Sequence, residues 1–199
     1  GNCDLENAIE VGRRATEHGM KLLIDFHYSD FWADPSKQMD PKAWAGLDID
    51  QKEEALYQYT RDSLIALTKA GVDIGMVQVG NEVSNGMLWP YGSVRHSFEG
   101  LCGLLREGVR AVRDFAPKAD VMLHVALGGM VEETQRFFDA MAEYGVDYDV
   151  IGQSYYPEWH GTLEDLERNL KSMAKQIGKP IYVVEYRDYF LDRSEERRV

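Results

Sequence analysis

The sequence predicts an α/β protein, part of a (β/α)₈ TIM barrel, and three observations predict it. Amphipathic helices alternate with short β-rich runs, the runs are near-continuously apolar, and most end in polar or aromatic residues. Alternation implies right-handed crossovers that set every strand parallel, and continuous apolar runs are those of strands covered on both faces. The C-terminal strand ends then share one face. By periodicity alone, five parallel strands fit a doubly wound sheet equally well. No glycine-rich phosphate loop follows any run, which counts against a nucleotide-binding sheet of that kind.

The first helix is read over 5–18, stopped by Gly19 ahead of a strand over 21–27. Asp50, with Glu53 three residues on, is the expected capping box of a helix running to Ala70, where Gly71 stops it. A strand follows over 75–81, then a helix over 97–115, Pro117, and a strand over 121–125. The next helix covers 131–144, ends at Gly145, and leads to a strand over 148–154. Thr162 caps a last helix reaching Ile177, Gly178 ends it, and the final strand covers 180–185. Residues 1–186 thus form one partial barrel domain, and 187–199 a divergent charged tail.

Composition narrows the function. The chain has 199 residues, short of the roughly 250 of a closed barrel. No apolar run approaches the ~18 residues of a spanning helix, so no membrane partner is expected. A net charge of −12 argues against nucleic acid, whose phosphates need Lys and Arg, and against acidic polysaccharides. Neutral polysaccharides remain open. Cys3 and Cys102 match neither a metal spacing nor a disulfide framework, and Cys102 is expected to be a buried small hydrophobe. The runs Asp50–Glu54 and Glu164–Glu167 read as solvated helix faces.

The strand ends carry the chemistry. They offer Asp25, His27 and Tyr28, then Asn81 and Glu82, His124, then Ser154, Tyr155 and Tyr156, and finally Glu185. All four tryptophans, Trp32, Trp44, Trp89 and Trp159, fall in the loops that follow strands and none in a helix. Cleaving a glycosidic bond needs a proton donor for the leaving oxygen and a second carboxylate beside the sugar. Glu82 and Glu185, ending two strands of one barrel, can supply that pair across its axis. Asn81 can hydrogen-bond a sugar hydroxyl, and Trp32, Trp89 and Trp159 can stack on sugar rings while Trp44 covers the rim. His27, His124 and His160 with Asp25 also raise a zinc reading. They are singletons on separate elements without a His-x-His pair, so they are read as hydrogen-bonding groups, with no metal or cofactor expected.

These residues lie in stretches that closely resemble the arabinogalactan endo-β-1,4-galactanases, glycoside hydrolase family 53. The matching stretches are Gly19–Pro35, Met76–Glu82, Tyr148–Pro157 with Trp159–Thr162, and Val183–Glu185. The resemblance implies that the five strands are the third to seventh of the barrel, with Glu82 the acid/base and Glu185 the nucleophile. It implies that Asn81 holds the 2-hydroxyl, that Tyr155 orients the nucleophile, and that His27 and Trp159 line the cleft. His124, Tyr156, Trp32 and Trp89 complete the expected substrate-binding set. The implied substrate is β-1,4-galactan of pectin side chains, cut internally with retention, by a secreted or periplasmic enzyme. A raised pKa is expected for Glu82, chiefly from the charge of Glu185. Alternatives are another retaining barrel glycosidase of mannanase or cellulase type, or an inactive carbohydrate-binding fragment. Two departures stand out: the first, second and eighth strands are absent, and 187–199 is unlike the segment after the nucleophile in the family. Alone, such a chain is expected to leave two sheet edges open, to aggregate or stay partly molten, and to be a poor enzyme.

Overall fold

The computed structural model describes residues 3–187; the charged tail beyond Arg187 lies outside the described residues. Asp4 accepts a hydrogen bond from the Asn7 amide at 2.9 Å and starts α1 (Leu5–Glu17). β1 (Leu22–Phe26) follows, then a single 3₁₀ turn at Lys42–Trp44 and α2 (Ile49–Lys69). The capping box of α2 is Asp48 with Gln51, not Asp50 with Glu53. A cap needs extended backbone, which Asp48 has at φ −74° and ψ 179°, whereas Asp50 lies within the first turn. There its charge complements the helix dipole instead. Nor is the 50–54 run fully solvated. Lys52 is 1 % exposed, ion-paired with Asp40 and set over the Tyr91 ring.

After β2 (Ile74–Val79) the chain makes a miniature antiparallel pair, β3 (Gly86–Met87) with β4 (Gly92–Ser93), too short to leave a periodicity in the sequence. Then come α3 (Glu99–Phe115), β5 (Asp120–Val125), α4 (Val131–Glu143), β6 (Val150–Tyr155), the one-turn α5 (Pro157–His160), α6 (Leu163–Gln176) and β7 (Ile181–Tyr186). Thr162 caps α6 as expected, in a capping box with Asp165.

The main sheet runs β1-β2-β5-β6-β7, with every pairing parallel. Consecutive strands of this sheet are neighbours throughout. A doubly wound sheet reverses its strand order at a switch point, and this one does not, so it is a barrel segment. Among the described residues β1 and β7 are its edges. The expectation that all strands are covered on both faces holds for β6, fully buried, and nearly for β5. It fails at the edges, where Leu23 is 43 % and Tyr182 52 % exposed, because each edge strand has a neighbour on one side alone.

The core lies between the sheet and its helices. Leu56 and Leu64 of α2, Leu101, Leu104 and Leu105 of α3, and Phe137 of α4 meet Val77, Val79, Leu123 and Ile151 of the strands. Cys102 is buried among them, as expected. Gly108 sets how closely α3 approaches the end of β2. A methyl group there would lie 2.5 Å from Val79 Cγ1 and 3.1 Å from Leu56 Cδ2. Overpacking of this kind costs about 1–3 kcal/mol, against a gain of ~1 kcal/mol from replacing glycine in a helix. Gly108→Ala is therefore expected to lower stability by ~1 kcal/mol, read as a lower urea midpoint at unchanged slope. An unchanged or higher midpoint would show that α3 has room to move away.

Candidate active site

β2 ends in a sharp turn. Gly80, at φ 82°, donates its amide to Phe26 O across the sheet, and Glu82 follows at φ 50° and ψ 47°. Left-handed backbone in a residue with a side chain costs about 1–3 kcal/mol and persists only where the surroundings fix it. Here Gln38 Nε2 donates to Asn81 O at 2.8 Å, and Ser84 Oγ accepts from the Ala126 amide at 2.8 Å. Gln38 is a clamp the sequence did not reveal: it comes from a loop 43 residues earlier and belongs to no motif. The result is a Glu82 carboxyl aimed from the strand end, 5 % exposed.

Glu185 reaches the same place from β7. Its neighbour in β6 is Ser154, so both side chains share a face of the sheet. Ser154 Oγ lies 2.6 Å from Glu82 Oε1, and Tyr156 OH donates to Glu185 Oε2 at 2.7 Å. The tyrosine on Glu185 is therefore Tyr156, not Tyr155. Side chains alternate along a strand, so Ser154 and Tyr156 point one way and Tyr155 the other. Tyr155 is 1 % exposed and its hydroxyl donates to Gly161 O at 3.0 Å.

Glu82, Glu185 and His124 each present an atom within 4.8 Å of the other two. Such a trio could in principle hold a cation. Both nitrogens of His124 are already engaged, Nδ1 with Asn81 Oδ1 at 2.9 Å and Nε2 with Ser154 Oγ at 2.8 Å, so a metal would have to break that network. The network extends outward. Asn81 Nδ2 donates to Ala33 O at 2.8 Å, and Gln78 Nε2 donates both to Asn81 Oδ1 at 3.0 Å and to Asp25 Oδ1 at 2.6 Å. Asp25 Oδ2 in turn lies 2.9 Å from His27 Nε2, and His27 Nδ1 accepts from the Ala33 amide. Asn81, wholly buried, thus spends one of its two amide hydrogens on the scaffold.

Burial pushes the Glu82 carboxyl up to about 7, with smaller upward pushes from the charges of Glu185 and Asp34; hydrogen bonding with Ser154 and the charge of His27 pull the other way. The direction is the expected one, but desolvation, not Glu185, is the main cause. Burial also holds His124 down, to about 4, and so neutral. Tyr156 is raised, by burial and then by Glu185.

The aromatic rim is partly as expected. Trp32 and Trp159 are each 64 % exposed, Trp32 packed edge-on to His27 and Trp159 to Tyr156. Trp89 is half-buried, its Nε1 donating to Asn85 O just beyond Glu82. Trp44 is half-buried against Tyr28 and Tyr59, covering the rim. Two tryptophans do lie in helical turns, Trp44 in the 3₁₀ turn and Trp159 in α5, because the loops after β1 and β6 each fold a turn of their own. His160 is buried and accepts from the Tyr156 amide at 3.0 Å, which fixes the α5 turn. Two depressions, of about 560 and 710 Å³, lie along α4 and beside β4, and neither is lined by either glutamate. The carboxylates, not the concavity, mark the site.

A parallel barrel segment with two glutamates meeting at its strand ends has the architecture of the TIM-barrel glycoside hydrolases. The chain belongs to glycosyl hydrolase family 53, whose family model matches residues 1–198. It is 47 % identical over 185 residues to the endo-β-1,4-galactanase of Bacillus subtilis, covering 93 % of this chain and 42 % of that protein. The GH53 catalytic domain of Ignisphaera aggregans superposes with a TM-score of 0.87 at 40 % identity, over 91 % of this chain and 50 % of that one. A structure from a study of two fungal β-1,4-galactanases gives 0.87 at 35 % identity, over 94 % and 58 %. The chain spans about half the length of the curated relatives it matches.

Proposed function

We propose that this chain carries the catalytic carboxylates of an endo-acting β-1,4-galactanase that cleaves with retention of configuration. The observation that carries the reading is the approach of Glu82 and Glu185, with carboxylate oxygens within 4.8 Å of one another. Retaining enzymes hold their carboxyl groups about 5–5.5 Å apart, against roughly 6.5–9.5 Å where a water must fit between for inversion. Glu185, steadied by Tyr156, attacks the anomeric carbon while Glu82 protonates the departing oxygen. Water then hydrolyses the glycosyl-enzyme with Glu82 as base. Esterification of Glu185 removes one of the upward pushes on Glu82, which favours the switch from acid to base. His27, Asn81 and the exposed Trp32 and Trp159 are the proposed sugar contacts, with Trp89 beside them; His124, expected among them, is instead wholly buried with both ring nitrogens held by Asn81 and Ser154. The galactanase names of the relatives support β-1,4-galactan, the side chain of pectin, as substrate. No helix among the described residues is long and apolar enough to cross a membrane, and a polymeric substrate favours a secreted or periplasmic enzyme.

Proton NMR of galacto-oligosaccharide cleavage tests the stereochemistry: the first product anomer is expected to be β, and α as first product overturns retention. A panel of galactan, mannan and cellulose tests the substrate, and binding to galactan without turnover would favour a carbohydrate-binding remnant. The pH profile follows from Glu82. The acid must be protonated, as it is below its pKa of about 7. In kcat/KM the alkaline limb is therefore expected to begin near neutrality and fall about tenfold per pH unit above it. Activity still rising well above neutral pH would contradict the assignment.

A further inference from the structure

Counting protons in the buried network around Glu82 leaves one consistent arrangement. Gln78 Nε2 lies 2.6 Å from the carboxylate of Asp25, which accepts, so this nitrogen is the donor and Gln78 cannot be turned over. The same nitrogen donates to Asn81 Oδ1, and Asn81 Nδ2 donates to the Ala33 carbonyl, so Asn81 is fixed as well. Its Oδ1 can then only accept from His124 Nδ1, which places the histidine proton there. His124 is neutral in its buried setting, so Nε2 carries a lone pair and must accept from the single hydroxyl hydrogen of Ser154, 2.8 Å away. That hydrogen is then unavailable to Glu82. The 2.6 Å contact between Ser154 Oγ and Glu82 Oε1 is satisfied when the proton sits on Glu82 and the hydroxyl oxygen accepts it.

We propose that His124 and Ser154 are positioning residues that act through one another to keep Glu82 loaded with its proton between turnovers. The proposal rests on Glu82 being the acid/base. When Glu82 has given up its proton, the carboxylate draws the Ser154 hydroxyl towards itself. The Nε2 lone pair of His124 is then left buried without a donor, and an unmet buried acceptor of that kind is costly. Reprotonation of Glu82 restores the chain. The other charged groups around Glu82 are Glu185 from β7 and Asp34 and His27 from the loop after β1; of these His27 touches the chain at its far end, through Asp25.

Two measurements on the full chain test it. Nitrogen-15 NMR of the histidines is expected to show His124 as the Nδ1–H tautomer near neutral pH; an Nε2–H tautomer or an imidazolium overturns the proposal. His124→Phe frees the Ser154 hydroxyl to donate to the ionised carboxylate. The carboxyl carbon of Glu82, followed by carbon-13 NMR, is therefore expected to titrate about one pH unit lower in that variant. An unchanged or higher midpoint overturns it. The tautomer reads the wild-type chain, so the test stands even if the variant fails to fold. Neither readout depends on turnover, whereas the acid/base reading itself fails separately, if Glu82→Gln keeps full activity on galactan.

Discussion

Glu185→Ala is expected to reduce galactan turnover by a factor on the order of 10⁴ or more, the scale of losing a covalent nucleophile. The substitution leaves Tyr156 without its carboxylate partner and opens a space beside the anomeric carbon. Azide can occupy that space and attack the same face that Glu185 would have attacked. Activity should then return in part, with a glycosyl azide of configuration opposite to the substrate, because one displacement replaces two. The position of Glu185 on an edge strand makes the control important: its loss must not be confused with unfolding. Glu82 is buried and Glu185 half-buried, and their negative charges oppose one another, so removing one is expected to leave the Tm unchanged or higher. Undiminished turnover, or an azide product of retained configuration, would remove Glu185 from the role of nucleophile.

Most of the framework was legible because it rests on local signals. Gly19, Gly71, Gly145 and Gly178 stop helices at positive φ, and the apolar runs between them became strands. The two glutamates were legible as strand ends, and their meeting followed from parallel topology. Three kinds of feature were not. The cap of α2 was displaced by two residues because Asp48 and Asp50 both satisfy the pattern, and backbone conformation alone chooses between them. The partner of Glu185 was misassigned between Tyr155 and Tyr156 because adjacent aromatics look alike until the strand's pleat gives each a face. The chain from Asp25 through Gln78, Asn81, His124 and Ser154 to Glu82 joins residues from β1, β2, β5 and β6. Each is ordinary where it stands, and their connection exists only after the strands are laid side by side. The exposed faces of Leu23 and Tyr182 have the same origin, since an apolar run does not say whether its strand has one neighbour or two.

Glu82→Gln is expected to divide substrates by their leaving groups. An amide keeps the shape of the carboxyl but has no acidic proton, so a galactan linkage, whose leaving alkoxide is a poor one, should lose about 10²–10⁴ in kcat/KM. An aryl galactoside with an acidic phenol departs without protonation, and its kcat/KM should fall by less than about tenfold. Its kcat should fall further, together with KM, because the variant also lacks the base that activates water and the glycosyl-enzyme accumulates. The pH profile gives an independent reading. The alkaline limb assigned to Glu82, near its pKa of about 7, should disappear from the residual aryl-galactosidase activity. The amide can also satisfy the site: its Nε2 donates to Ser154 Oγ as the protonated carboxyl does, so the contact with Ser154 survives in one of two orientations and the fold is expected to hold. Equal losses on both substrates, with the alkaline limb intact, would show that another group delivers the proton.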